Sequence, residues 1–246
     1  MDVEIKGTVL PVLEAKLNPG DKLVAEAGEL AWMTQTIQLK TTTQTGGAKG
    51  VMGVLKRAVA GGGIFMSEYE AQGGPGMVAF ATKLPGEILP VKIAPGQELM
   101  VHRHGFLCAT EGIELTMGFQ KKLGAGIFGG DGFVLQKMAG TADAWVEIDG
   151  EVIVYDLQPG EVLRVHPGHV AMFQATVPFE ITTVPGIKNK IFGGDGLFLA
   201  KLTGPGRVWL QTLTLSGLAG ALQPYLVQGE ATSGAVGGVI GGLLSK

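Results

Sequence analysis

The chain has a single cysteine, Cys108, so no disulfide can form within it. That is neutral to mildly in favour of a reducing compartment. Charge is scarce: 17% of residues are charged, against about a quarter in ordinary globular domains. The 22 acidic residues outnumber the 19 basic ones, for a net charge of −3. The basic footprint of a nucleic-acid-binding domain is missing, and nucleic acid is not expected as a partner. No run of about 18 apolar residues occurs, so no transmembrane helix is expected. The opening Met1-Asp2-Val3-Glu4-Ile5-Lys6 lacks the basic-then-apolar order of a signal peptide, and a cytoplasmic location is expected.

Glycine is what the chain has in excess, with 41 residues, about twice the usual share. The glycines have no collagen period and separate apolar runs, which implies many tight turns. Several turns recur as phrases. Ile127-Phe128-Gly129-Gly130-Asp131-Gly132 returns as the same six residues at 191–196, and an altered copy begins at Ile64-Phe65. Leu17-Asn18-Pro19-Gly20-Asp21-Lys22-Leu23 matches Ile93 to Leu99 and Leu157 to Leu163. In this phrase Pro suits the first central position of a turn and Gly the second, which needs positive φ. A third phrase, Gly74-Pro75-Gly76, returns as Gly204-Pro205-Gly206, and Gly140-Thr141-Ala142 stands in its place between them.

Repeated phrases at this spacing define three units, about 1–85, 86–150 and 151–213, followed by a Gly-rich apolar tail at 214–246. Short apolar runs between glycine-rich turns predict strands. The expected fold is therefore all-β: one domain of three antiparallel β repeats related by a pseudo-threefold axis. Two segments fall outside the pattern. Val51, Val54, Leu55, Ala58 and Val59 have helical spacing, so residues 46–63 are expected to insert one short helix that caps an open end of the β core. In the tail, Leu215 to Leu226 predicts a short helix ending near Pro224. Residues 234–244 carry glycines four apart, as in closely packed membrane helices, but are too short to cross a bilayer about 30 Å thick. Packing on the domain or on a neighbouring subunit is the expectation for this tail. Weak membrane-surface contact is the alternative for both segments.

Chemistry-bearing residues are few. Glu26, His102 and His166 each stand seven residues after the proline of a Pro-Gly turn. One carboxylate and two imidazoles is a ligand set known from non-haem iron sites. Strand alternation argues against it here. Leu23 and Ala25, Leu99 and Val101, and Leu163 and Val165 form an apolar face, so the seventh position is expected to point away from the core. Outward residues of a threefold prism lie too far apart to share an ion, so no metal is assigned. The Gly-Gly-Asp-Gly loops are a poor phosphate cradle, with no following Lys and an Asp that would repel the anion. Asp-Gly between apolar runs instead predicts a hairpin tip. Cys108 lies in an apolar run and is expected to be a small buried hydrophobe. No catalytic residue and no cofactor is assigned.

The Gly-Gly-Asp-Gly hairpins, the insertion Val54-Leu55-Lys56-Arg57-Ala58-Val59-Ala60-Gly61 and the closing Gly204-Pro205-Gly206-Arg207-Val208-Trp209-Leu210-Gln211-Thr212 together resemble the altered inheritance of mitochondria 24 family, over about residues 3–213. The resemblance implies a β domain of three pseudo-repeats, similar to that of the tryptophan-responsive RNA-binding attenuation proteins. It implies bacterial, cytoplasmic members and eukaryotic members at the mitochondrial inner membrane, and no catalytic residues. An RNA-binding fold relative does not bring RNA binding with it, because function resides in sites. The expected role is a non-enzymatic scaffold or assembly protein acting as a homo-oligomer. The alternatives are a small-ligand or metal-binding module and a peripheral membrane protein.

Overall fold

The computed structural model describes residues 1–42, 64, 66–121, 132–183 and 198–225. The expected insertion helix, the apolar segment 234–244 and the Gly-Gly-Asp tips lie outside these residues. Two compact units divide the chain, residues 1–214 and 215–246. Strands make up most of the described residues.

From the N-terminus the strands are β1 (Asp2–Lys6), β2 (Val12–Leu17), β3 (Lys22–Glu26), β4 (Leu30–Met33), β5 (Ile37–Thr42), β6 (Met66–Ala71) and β7 (Gly76–Ala81). There follow β8 (Gly86–Ile93), β9 (Leu99–His102), β10 (Phe106–Thr110), β11 (Ile113–Lys121), β12 (Phe133–Gly140) and β13 (Ala142–Asp149). The last are β14 (Val152–Leu157), β15 (Val162–Val165), β16 (Val170–Gln174), β17 (Phe179–Thr183), β18 (Phe198–Thr203) and β19 (Gly206–Gln211). In the second unit, α1 (Leu215–Leu222) leads into a 3-10 turn at Gln223–Tyr225. This is where Pro224 predicts the helix to stop; Leu226 lies outside the described residues.

The Pro-Gly turns form as their residues dictate. Gly20, Gly96 and Gly160 have φ of 91°, 78° and 79°, the left-handed region that only glycine enters without strain. Each turn closes with a main-chain bond across four residues, Asp21 N–H to Asn18 O, Gln97 N–H to Ala94 O and Glu161 N–H to Gln158 O, at 2.9–3.0 Å. Asp149-Gly150, with φ of 75° at the glycine, likewise turns β13 into β14.

Four open sheets result. Their strand orders are β1-β2-β7-β4, then β5-β6-β3-β10-β13-β8, then β11-β12-β9-β16-β19-β14, and finally β15-β18-β17. Every pairing is antiparallel, and β3–β10 and β9–β16 join strands far apart in sequence.

Three apolar layers separate the sheets. The first, with Leu13, Leu17 and Phe80 against Leu23, Tyr69 and Leu107, lies between the first and second sheets. The next, with Val24, Met66 and Val146 against Val101, Met138 and Met172, lies between the second and third. Phe133, Leu135 and Phe173 against Ile181, Ala200 and Leu202 make the layer between the third and fourth. Aromatic pairs lock the outer layers. The Tyr69 and Phe80 rings meet edge-on at 5.2 Å, and Phe173 stacks on Phe179 at 5.2 Å. Each such pair adds about 0.5–1.5 kcal/mol beyond its buried area.

Candidate functional site

Strands β3 and β9 are covered on both faces because the second and third sheets lie between two apolar layers. Leu23 and Ala25 enter one layer and Val24 the next. The same alternation puts Val101 in one layer and Met100 against another. For Glu26 and His102 this corrects the expectation that the seventh position after each proline points away from the core; His166 follows β15 of the fourth sheet, which has an apolar layer on one face. Glu26, His102 and His166 are half-buried. A sheet with a core on each side has no outward face in its middle.

The three residues lie on different sheets or at their ends, and each has its own local partner. Glu26 ends β3 in the second sheet and accepts a hydrogen bond from Gln136 Nε2. Burial raises the Glu26 carboxyl, opposed by that bond. His102 ends β9 in the third sheet, and its Nε2 lies 3.1 Å from the main-chain oxygen of Glu147. The ring therefore donates there, and loss of water lowers its pKa to about 4, so it is neutral at physiological pH. His166 follows β15 of the fourth sheet, and its Nδ1 accepts from Gly168 N–H at 3.3 Å. Burial lowers its pKa, helped by His169, whose ring sits edge-on at 5.8 Å. Among the described residues, no group of three or more His, Cys, Asp or Glu is placed to hold a metal ion.

A polar seam nevertheless runs along the strand ends. Glu147, 2% exposed, interrupts the apolar run of β13. Its Oε1 accepts from Lys83 N–H at 2.7 Å, while its Oε2 and the buried Oε1 of Gln136 have no hydrogen-bond partner. Burial raises the Glu147 carboxyl, and Lys83 counters part of that. The Lys83 side chain pairs with Glu29. Two residues on, burial also raises the Asp149 carboxyl, opposed by His104 and Lys83. Asp149 N–H donates to Gln211 Oε1 at 3.3 Å, and Gln211 Nε2 donates to Gly168 O at 2.9 Å. His169 Nδ1 donates to Gln211 O at 2.8 Å.

Gly105 allows the His102 contact. A Cβ there would sit 2.5 Å from Val101 Cγ2 and 2.7 Å from His102 Cδ2. The seam ties turn to strand end, and burial in it favours the neutral forms of His102, His166, Glu26, Glu147 and Asp149. Sequence reasoning missed Glu147, Asp149, Gln136 and Gln211. The signal available was a carboxylate inside the otherwise apolar Ala144-Trp145-Val146-Glu147-Ile148.

Two further features bear on chemistry. Cys108 is buried and burial pushes its thiol well up, which leaves no thiolate nucleophile there. On the surface, a pocket of about 350 Å³ is lined by Asp156, Leu157, Gln174, Gly206, Arg207 and Trp209. Arg207 grips Asp156 through Nε at 2.6 Å and a second nitrogen at 2.8 Å, and lies 5.9 Å from the Trp209 ring centre. The ion pair holds the Asp156 carboxyl below its usual range.

The described helices include none long and apolar enough to cross a membrane. A family profile described as mitochondrial biogenesis AIM24 matches residues 3–213. An uncharacterised protein of Streptococcus pyogenes serotype M6 is 22% identical over 219 residues, covering 88% of this chain and 87% of that protein. The crystal structure of a Streptococcus pyogenes protein superposes with a TM-score of 0.72 at 21% identity, covering 92% of this chain and 99% of the other. At that identity the likeness speaks to the fold alone.

Proposed function

The chain belongs to the mitochondrial biogenesis AIM24 family, and we propose that it acts as a non-enzymatic assembly protein working as a homo-oligomer. The observation that carries this reading is apolar side chains left exposed on strands at sheet edges. Trp32 and Met33 on β4, Ile153, Val154 and Tyr155 on β14, and Val162 on β15 are all exposed. Single exposed apolar residues are ordinary, but runs of them on open strand edges mark association surfaces. The seam supports the same reading, since most of its polar groups bond to the fold itself. In this proposal the three stretches of sequence are versions of one six-stranded unit, β2 to β7, β8 to β13 and β14 to β19, each sharing a sheet with the next. A cytoplasmic location fits it. Sedimentation of the full chain at micromolar concentration tests the role: association supports it, and a monomer at all concentrations removes it.

A second reading, a small-ligand module, draws on the Arg207–Trp209 pocket and on the unpartnered Glu147 Oε2. Native mass spectrometry of the purified chain decides it. A stoichiometric small molecule retained by the chain supports it, and a bare chain mass counts against it.

A further inference from the structure

The two inner sheets have six strands and the two end sheets have four and three. Each inner sheet is built across two consecutive stretches of chain. In the second, β10 pairs with β3 through Cys108–Ala25, Ala109–Val24 and Thr110–Leu23. In the third, β16 pairs with β9 through Met172–Val101, Phe173–Met100 and Gln174–Leu99. The register is the same in both. Among the described residues the first sheet ends at β4 and the fourth at β15, with no corresponding pairing at either edge.

β4 matches β10 and β16 in detail. It is bulged against its neighbour between Leu30 and Trp32, as β10 is between Phe106 and Cys108 and β16 between Val170 and Met172. β15 matches β3 and β9 through its place after the Pro-Gly turn. The end sheets therefore hold the two halves of one more six-stranded arrangement. A single chain cannot join them: three apolar layers intervene, no cluster among the described residues links first sheet to fourth, and sheets about 10 Å apart place these two roughly 30 Å apart.

We infer that the β4 edge of one copy pairs antiparallel with the β15 edge of a second copy, head to tail, and so completes an inner-type sheet between chains. This rests on the homo-oligomer reading and names its contact. The register carried over from the inner sheets pairs Trp32 with Val165, Met33 with Arg164 and Thr34 with Leu163. The exposure fits: Trp32 is 46% and Met33 39% exposed, while their counterparts Cys108 and Ala109 on β10 are fully buried. Because the contact joins unlike edges, a joined pair of copies keeps one free edge of each kind. Copies then close into a ring or extend as a filament.

The test uses the full chain with Met33→Cys and Arg164→Cys, both at exposed positions, oxidised and run without reductant. A mixture of the two single variants is expected to give one covalent dimer band. The double variant is expected to give higher species, and each single variant alone none. Trp32→Asp is expected to shift the wild-type oligomer to monomer in sedimentation at equal concentration. Self-cross-linking of either single variant overturns the inference in favour of a like-to-like contact. An oligomeric wild type with no mixed dimer and no Trp32→Asp effect overturns it while leaving the homo-oligomer standing. A monomeric wild type removes both.

Discussion

In the inner sheets and in the first end sheet, β10, β16 and β4 carry the same bulge in different surroundings. Phe173 on β16 is 2% exposed, while Met33, at the matching place on β4, is 39% exposed. Register and bulge are shared, so the difference is whether another sheet edge and another apolar layer are present. Burial here is set by neighbours and not by the strand. The same substitution should therefore cost very differently at the two places.

Phe173→Ala should break the inner case most, by about 3–5 kcal/mol, since it removes a buried ring that stacks on Phe179 and leaves a cavity. Urea unfolding measures it, and a loss under about 1 kcal/mol would mean that the layer between the third and fourth sheets is not packed as described.

Acid should come next. The His102 ring has a pKa of about 4 in the fold, against about 6.5 when free. The fold binds fewer protons than the unfolded chain between these values, so the stability is fully present above the free value. It is lost as pH falls toward 4, at most about 3 kcal/mol. Glu26, Glu147 and Asp149 have raised carboxyls and oppose the trend, because their protonation favours the fold as pH drops. His102→Gln should flatten the fall between pH 7 and 4.5 in urea midpoints. A wild-type fall left unchanged by the variant would place the acid sensitivity elsewhere.

Gly105→Ala should cost about 1–3 kcal/mol by pushing Val101 and the His102 ring aside. Its histidine resonance should titrate nearer the free value in NMR, which a purely local strain would not cause. The smallest effect is expected at the end sheet: Trp32→Ala in the monomer should change unfolding by roughly 0.5 kcal/mol or less. A loss of several kcal/mol would show that Trp32 is already covered within one chain, and would erase the contrast between inner and end sheets.

Much of the strand plan is legible in the sequence. The three Pro-Gly turns, with glycine at positive φ, sit where the phrases place them, because a turn's chemistry is local. β7, β13 and β19 begin where the closing phrases predict. Cys108 is buried as its apolar run implies. The environment of Glu26, His102 and His166 was not legible. Period-two alternation says which side chains share a face, but not whether the opposite face meets water or a second core. Glu147 was missed for the same reason: its burial depends on Lys83 and Gly105, 64 and 42 residues away in sequence.

By itself, then, the sequence determined the class of the fold, the positions of its turns and strands, and the family, since each depends on short-range pattern. Tertiary structure alone decided that strands from consecutive stretches share sheets, that four open sheets enclose three apolar layers, and that charged groups end up desolvated along the strand ends. Those outcomes depend on which edges and faces meet. Pairing of strands far apart in the chain is chosen by the burial it achieves, and no local phrase encodes it.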